Sequence, residues 1–250
     1  MAWKVNAASA IGKYHIDTGL PCQDDFAFQV AGDVLIGVVC DGAGSSAHSE
    51  LGAKACSQSV VESIVATLAE GAAGGLEMVC SYEYLKTTVE TARVRLQSIA
   101  DENGFQFHDL SCTLVGCIAS SEGGCLFHIG DGFGVAEYDG LSPIIALPEN
   151  GEYANETYFV TAADWPVRLR ITILPAAKTG CVALMSDGAA PFVVNRQQTG
   201  LFIPFIKPVT KYLSGVSQEE GNHALWDTLA GEGTYAITGD DKTLLIAMLQ

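Results

Sequence analysis

The hydrophobic positions of the chain fall into short, strand-length runs separated by polar turns. The clearest run is Val34–Cys40, which carries no charge and is typical of a strand buried on both faces. Phe26–Ala31 precedes it, and Gly32-Asp33 between the two runs predicts a two-residue hairpin. Trp3–Ala10 predicts an opening strand and Thr243–Leu249 a closing one.

Helical periodicity appears in two long stretches. Apolar residues recur at helical spacing over Ala47–Ala69 and again over Tyr82–Ala100, and Asn103-Gly104 is a stop signal for the second helix. Shorter helices are predicted over Ala189–Arg196, Pro204–Leu213 and Gln218–Leu229.

The remaining runs predict further strands. Three of them, Ser111–Ala119, Cys125–Ile129 and Gly134–Tyr138, are joined by glycine turns and favour a meander. Leu169–Leu174 and Cys181–Met185 are interpreted as a further strand pair. Because strands and helices do not alternate regularly, we expect an α+β fold with antiparallel sheets and helices outside them.

Length and composition favour one domain over residues 1–250. The chain is 48% hydrophobic, which is enough for a large core, and it contains no linker-like tract. A polar segment, residues 148–166, predicts a surface flap. The apolar runs are far shorter than the ~20 residues of a membrane span, and the N-terminus lacks an apolar signal core. We therefore expect a cytoplasmic protein without a membrane partner.

The charge balance limits the possible partners. The chain carries 13 Lys and Arg against 29 Asp and Glu, a net charge of −16. Such a surface repels nucleic acids and anionic membranes, and it accepts phosphate only if bound cations reverse the local field. The eight cysteines lie mostly in apolar runs, without C-x-x-C spacing, and are predicted to be buried small side chains rather than disulfides.

Aspartates stand where several apolar runs end. Asp41 directly follows the most apolar strand, and a carboxylate there is costly unless something pairs with it. Further aspartates at the edges of such runs are Asp24, Asp131, Asp187, Asp240 and Asp241. Oxygen ligands favour Mg²⁺ or Mn²⁺, and several carboxylates can hold two ions ~4 Å apart for phosphate hydrolysis. Asp41 is the natural bridging ligand.

At these positions the chain resembles the metal-dependent protein phosphatases of the 2C type, and its bacterial members in particular. The matching segments are, in order, Gln23-Asp24-Asp25-Phe26, Asp41-Gly42-Ala43-Gly44, Ser111–Leu114 with Gly130-Asp131-Gly132, Ser186-Asp187-Gly188 and Asp240–Thr243. The resemblance implies a four-layer αββα sandwich, in which two antiparallel sheets are flanked by helix pairs. It also implies hydrolysis of phosphoserine and phosphothreonine in proteins by water activated by two Mn²⁺ or Mg²⁺ ions, with a Ser/Thr kinase as a possible partner.

The resemblance also implies a role for each matching residue. Asp41 would bridge the two ions, the Gly42 carbonyl would bind one, and Asp187 with Asp240 would complete the other shell. Asp24 would hold metal-bound waters. Asp131 would serve a third, weaker ion.

Four positions depart from the family pattern. Gln23 stands where Glu is common. The family's phosphate-binding Arg is missing, which leaves Lys13 or His15 as substitutes for binding the substrate. Ala43 replaces the histidine of eukaryotic members, and Pro191 occupies a place where a third ion would need a carboxylate.

Two other functions compete with a protein phosphatase. A non-catalytic regulatory or binding module on the same fold is one, and a phosphatase of small molecules is the other.

Neighbouring strand residues point to opposite faces, so only one of Asp240 and Asp241 should face the metals. The family pattern selects Asp240, and Asp241, like Asp25, is interpreted as a solvated neighbour.

Overall fold

The fold, taken from a computed structural model, is a stack of two antiparallel sheets. The structure describes residues 2–71, 74–148, 157–177 and 179–250. The strands are β1 (Trp3–Ala10), β2 (Asp25–Ala31), β3 (Val34–Cys40), β4 (Leu114–Ser120), β5 (Gly123–Ile129), β6 (Phe133–Tyr138), β7 (Ile144–Ala146), β8 (Arg170–Leu174), β9 (Thr179–Met185) and β10 (Lys242–Leu249). One sheet has the order β1-β10-β9-β6-β7 and the other β2-β3-β4-β5-β8.

Helices lie outside the two sheets and at the ends of their strands. They are α1 (Lys13–Thr18), α2 (Ser49–Ala69), α3 (Gly75–Val79), α4 (Tyr82–Asn103), α5 (Trp165–Arg168), α6 (Ala190–Val193), α7 (Ile203–Gly215), α8 (Gln218–Leu229) and α9 (Glu232–Tyr235). A 3₁₀ turn occupies Phe107–Leu110. The long pair α2 and α4 packs on the β3 sheet, and α7 and α8 pack on the β10 sheet. The predicted α+β sandwich with four αββα layers is therefore confirmed.

Strand β3 shows why these residues form a central strand. Leu35 and Val39 belong to the core between the two sheets, whereas Ile36, Val38 and Cys40 pack under the helices. Side chains alternate between the faces of a strand, so a strand covered on both sides needs apolar residues at every position. Val34–Cys40 is therefore uncharged because both faces of β3 are covered.

Two predicted strand pairings are wrong. Strand β6 does not continue a meander from β5, because it leaves that sheet and pairs with β7 and β9 in the other. Strands β8 and β9 also separate, since β8 pairs with β5 and β9 pairs with β6 and β10. Apolar runs identify strands but carry no information about which sheet each one joins.

Only part of the predicted flap over residues 148–166 is described. Residues 149–156 lie outside the described residues, so the flap stays a prediction, as does the single domain over 1–250. Among the described helices, none is both long and apolar enough to cross a membrane.

Candidate active site

An acidic cavity of about 500 Å³ opens where the loops of the two sheets meet. Carboxylates from four separate loops line it, namely Asp41, Asp131, Asp187, Asp240 and Asp241. Since these residues are far apart in the sequence, the fold brings together most of the aspartates that stand at the ends of apolar runs.

Backbone contacts fix the loop that follows β3. The Asp41 N–H donates to Thr113 Oγ1 at 3.1 Å, and the Thr113 N–H donates to the Asp41 carbonyl at 2.8 Å. The Gly42 N–H donates to the Gln23 carbonyl at 3.1 Å. A Cβ on Gly42 would lie 2.5 Å from that same carbonyl oxygen, so only glycine allows this close approach.

Three carboxylates form the centre of the cavity. Oxygen atoms of Asp41, Asp131 and Asp187 all lie within 4.8 Å of one another. Burial, together with the charges of Asp24 and Asp187, holds the pKa of Asp41 well above its usual range. Burial and the charge of Asp131 raise the pKa of Asp187 to about 6. Carboxylates crowded in this way repel one another until a cation binds between them.

Asp131 owes its place to the crossing of β6 between the sheets. The glycine turn at Asp131-Gly132, predicted to continue a meander, instead carries the chain from one sheet to the other. Gly130 has a φ of 103°, which favours glycine. Thr157 Oγ1 donates to Asp131 Oδ2 at 2.7 Å. The structure thus joins Asp131, rather than Asp240, to the tight group around Asp41.

The loops after β9 and before β10 are bonded to each other. The Ser186 N–H donates to the Thr243 carbonyl at 3.1 Å, and the Thr243 N–H donates to Ser186 Oγ at 3.0 Å. A Cβ on Gly188 would lie 1.9 Å from the carbonyl oxygen of Asp241. These contacts hold Asp187 beside the exposed Asp240 at the cavity wall.

Asp24 and Gln23 lie buried at the edge of the same group. The amide oxygen of Gln23 has no hydrogen-bond partner in the structure, and the carboxylate of Asp24 has none of good geometry, although the Ser186 and Thr243 side chains lie near enough to act on its pKa. Burial and the charge of Asp241 raise the pKa of Asp24 to about 8. Buried acceptors left without donors are expensive, and they indicate that something else satisfies them in the working protein.

The structure corrects the interpretation of Asp241 as a solvated neighbour. Its side chain is only 3% exposed and accepts hydrogen bonds from the backbone of Gly12 and Gln23, each at 2.6 Å. It also holds His15, with Nδ1 2.8 Å from Oδ2. His15 reaches the cavity wall. Lys13 does not, because its side chain is exposed and paired with Asp17 at 3.1 Å.

The donor set of this cavity fits hard divalent cations. The three clustered carboxylates, including an Asp187 Oδ1 without a hydrogen-bond partner, and the Gly42 carbonyl are all oxygen ligands. Nitrogen and sulfur ligands, which Zn²⁺ prefers, are not part of the carboxylate group. The residues present therefore suit Mg²⁺ or Mn²⁺.

Some residues of the site carried no signal in the sequence. Tyr14 and Phe159 line the cavity, yet neither lies in a segment that matches the family, whereas Thr113, which also lines it, belongs to the matching segment Ser111–Leu114. Lys242 is buried behind the cavity, where its Nζ donates to the Asp240 carbonyl at 3.1 Å and lies 4.3 Å from the ring centroid of Tyr235. Its place directly after two aspartates was the only available clue.

An acidic cavity of this kind on an αββα sandwich defines the class of metal-dependent phosphatases. The family model described as "Protein phosphatase 2C" matches residues 11–230. The chain is also 31% identical over 256 residues to Serine/threonine-protein phosphatase 3 of Escherichia coli (strain K12), covering 99% of both chains. The chain therefore belongs to the protein phosphatase 2C family, as the motifs predicted.

Solved structures share the fold at low sequence identity. The catalytic domain of the serine/threonine protein phosphatase PstP, in complex with two manganese ions, is 17% identical, with a TM-score of 0.62 over 98% of this chain and 97% of that one. The serine/threonine phosphatase Stp1 from Staphylococcus aureus is 13% identical, with a TM-score of 0.67 over 100% of this chain and 96% of that one.

Proposed function

We propose that this protein is a phosphatase that removes phosphate from serine and threonine side chains of proteins with the help of two Mn²⁺ or Mg²⁺ ions. The observation that carries the proposal is the group of Asp41, Asp131 and Asp187, whose oxygen atoms lie within 4.8 Å of one another. Such a group is unfavourable in an empty site and favourable around cations. When bound, the ions supply hydroxide near neutral pH and offset the charge of the phosphate.

The ligands of these ions follow from the positions of the side chains. Asp41 belongs to the tight carboxylate group with Asp187, and the charges of Asp24 and Asp187 both raise its pKa. Asp41 is therefore proposed as the ligand shared by both ions. The Gly42 carbonyl would bind one ion, and Asp187 and Asp240 would bind the other. Asp131 is near enough to Asp187 to take part in a further, weaker site.

His15 is proposed to bind the phosphate. Among the described residues that line the cavity, none is Lys or Arg, so His15 is the one group there that can become cationic. Its contact with Asp241, 2.8 Å from Nδ1 to Oδ2, fixes the orientation of the ring at the cavity wall. Lys13 lies outside the cavity, which argues against its proposed part in binding.

The biological setting is proposed from the same features. A phosphorylated protein is the substrate, a Ser/Thr kinase is its counterpart in signalling, and the cytoplasm is the place of action. The strongly acidic chain, with a net charge of −16, disfavours nucleic acids and anionic membranes as partners.

One assay tests the proposal. Purified protein is given Mn²⁺ with p-nitrophenyl phosphate or with a phosphothreonine peptide, and Asp41→Asn serves as the inactive control. We expect hydrolysis of both substrates and none in the variant. Hydrolysis of the aryl phosphate alone would favour a small-molecule phosphatase. Failure with both substrates while Mn²⁺ still binds would favour a non-catalytic module.

A further inference from the structure

Three thiols meet directly behind the acidic cavity. Cys40 is the last residue of β3, Cys56 lies in α2, and Cys112 precedes β4. All three are wholly buried, and their Sγ atoms lie within 4.8 Å of one another. Three elements that are distant in sequence thus bring three sulfurs to one point, outside the carboxylate group.

The spacing of the sulfurs suits a single three-coordinate ion. With bonds of ~2.3 Å to sulfur, three sulfurs lie ~4 Å apart around a planar centre and ~3.5 Å apart around a pyramidal one. The observed limit of 4.8 Å allows this with small side-chain rotations. This group of described residues contains three donors, whereas a structural zinc site needs four.

The apolar surroundings decide which kind of ion the thiols can accept. Three thiolates around Cu⁺ or Zn²⁺ leave a net negative charge, which is costly in the core beneath α2. Three thiolates around trivalent arsenic form a neutral complex. We propose that Cys40, Cys56 and Cys112 form a binding site for trivalent arsenic, supplied as arsenous acid.

The reaction balances without any change of oxidation state. As(OH)₃ and three thiols give As(SR)₃ and three molecules of water, as three As–O and three S–H bonds are replaced by three As–S and three new O–H bonds. Arsenous acid is uncharged at neutral pH, so the acidic surface does not repel it. Because the thiols are buried, binding must await local opening of the structure and is expected to be slow.

The site is linked to the proposed metal ligands through the backbone. Cys40 is followed directly by Asp41, and Cys112 forms a β-bridge with Gly42. Drawing the three sulfurs together pulls on both of these segments. Arsenic binding is therefore expected to reduce phosphatase activity, a consequence that rests on the proposed function, whereas binding itself does not.

The test uses the full chain, reduced with a phosphine and incubated with excess arsenite. We expect intact mass spectrometry to show a gain of one arsenic less three hydrogens. When arsenic-loaded and arsenic-free chains are alkylated side by side in denaturant, Cys40, Cys56 and Cys112 should be protected only in the loaded chain. Cys56→Ala and Cys56→Ser should lose the bound arsenic. Cys117→Ala is the matched control, since Cys117 is equally buried but faces the core between the sheets.

The outcomes separate this inference from the proposed function. No uptake of arsenic, or uptake that persists in both Cys56 variants, would overturn it, and so would protection of other cysteines. Melting curves establish that the Cys56 variants fold. If they do not fold, the alkylation pattern of the chain without substitutions still shows which cysteines bind arsenic. A chain that binds arsenic at these thiols but hydrolyses no phosphate would refute the phosphatase and leave the site intact.

Discussion

The imidazole of His15 is held by the carboxylate of Asp241, with Nδ1 2.8 Å from Oδ2. The same carboxylate accepts hydrogen bonds from the backbone of Gly12 and Gln23. One buried side chain at the start of β10 therefore ties down the N-terminal segment that carries both His15 and Asp24. Asp240, one residue earlier, is exposed and faces the cavity.

These different surroundings predict different effects for two neighbouring substitutions. Asp240→Asn should cost far more activity than Asp241→Asn, because Asp240 is the proposed metal ligand. The Asp240 variant should need more Mn²⁺ for half-maximal activity and should melt at a temperature close to that of the unchanged chain. Titration of activity with Mn²⁺, beside melting curves, measures both effects.

Asp241→Asn should instead lower stability, because an amide cannot accept all three of these hydrogen bonds. Loss of buried hydrogen bonds to a charged acceptor typically costs ~1.5–3 kcal/mol each, so a fall of several degrees in Tm is expected. A larger loss of activity in Asp241→Asn at saturating Mn²⁺ would show that Asp241, not Asp240, binds the ions.

Metal dependence is the second prediction. Activity should vanish after chelation and return with Mn²⁺ or Mg²⁺, since the site consists of oxygen ligands. Asp41→Asn should remove nearly all turnover, because the proposed ligand shared by both ions is lost. Asp17→Asn is the control, as Asp17 is exposed and pairs only with Lys13. Full activity in a chelator would refute a two-metal phosphatase.

Crowding of the buried carboxylates predicts that the metal-free chain becomes less stable as the pH rises. Burial raises the pKa of Asp24 to about 8, from an ordinary value of 3.8. A raised carboxyl pKa means that the folded state holds its proton more tightly, so stability is lost as the pH rises toward 8. In a chelator, Asp24→Asn should therefore gain stability over the unchanged chain at pH 8, by on the order of a few kcal/mol, which is a rise of several degrees in Tm.

At pH 5 the gain should be much smaller, because stability is lost from about pH 4, where Asp24 ionises in the unfolded chain, up to about pH 8, and most of that range lies above pH 5. Added Mn²⁺ should stabilise the unchanged chain more at pH 8 than at pH 5, because a cation favours the ionised carboxylates. A gain in the Asp24 variant that is equal at both pH values would show that ionisation of this residue is not the cause.

The contact between Gly188 and Asp241 predicts a glycine that cannot be replaced. A Cβ at Gly188 would lie 1.9 Å from the Asp241 carbonyl oxygen. Gly188→Ala must therefore push apart the loop after β9, which carries Asp187, and the loop before β10, which carries Asp240. We expect a loss of stability of ~1–3 kcal/mol and a marked fall in activity. Gly233→Ala is the control, because nothing lies within 4 Å of its Cβ position. Unchanged activity in Gly188→Ala would show that the loops tolerate displacement.

Most strands and the central aspartates could be predicted from the sequence because they depend on local patterns, whereas the four-layer sandwich was predicted from the resemblance to a known family. The run Val34–Cys40 and the aspartate after it need no knowledge of the partner strand. What the sequence missed depends on pairing across the fold. The crossing of β6, which sets Asp131 beside Asp187, and the burial of Asp241 follow from contacts between distant segments. The metal-facing role of Asp240 stays a prediction.

His15 provides the last prediction, which concerns binding and proton transfer. Within the motif Asp41–Gly44, Ala43 occupies the position where eukaryotic members have a histidine, and alanine cannot act as an acid. The fold, however, brings His15 to the cavity wall. If His15 binds phosphate, His15→Gln should raise KM more than it lowers kcat, for aryl phosphate and phosphothreonine peptide alike. His223→Gln, an exposed change on α8, is the control.

A kcat that collapses for the peptide and is spared for the aryl phosphate would contradict a pure binding role. Aryl leaving groups need little protonation, whereas expulsion of a threonine alkoxide gains ~10²–10⁴-fold from a positioned acid. That pattern would make His15, held by Asp241, the proton donor to the leaving group.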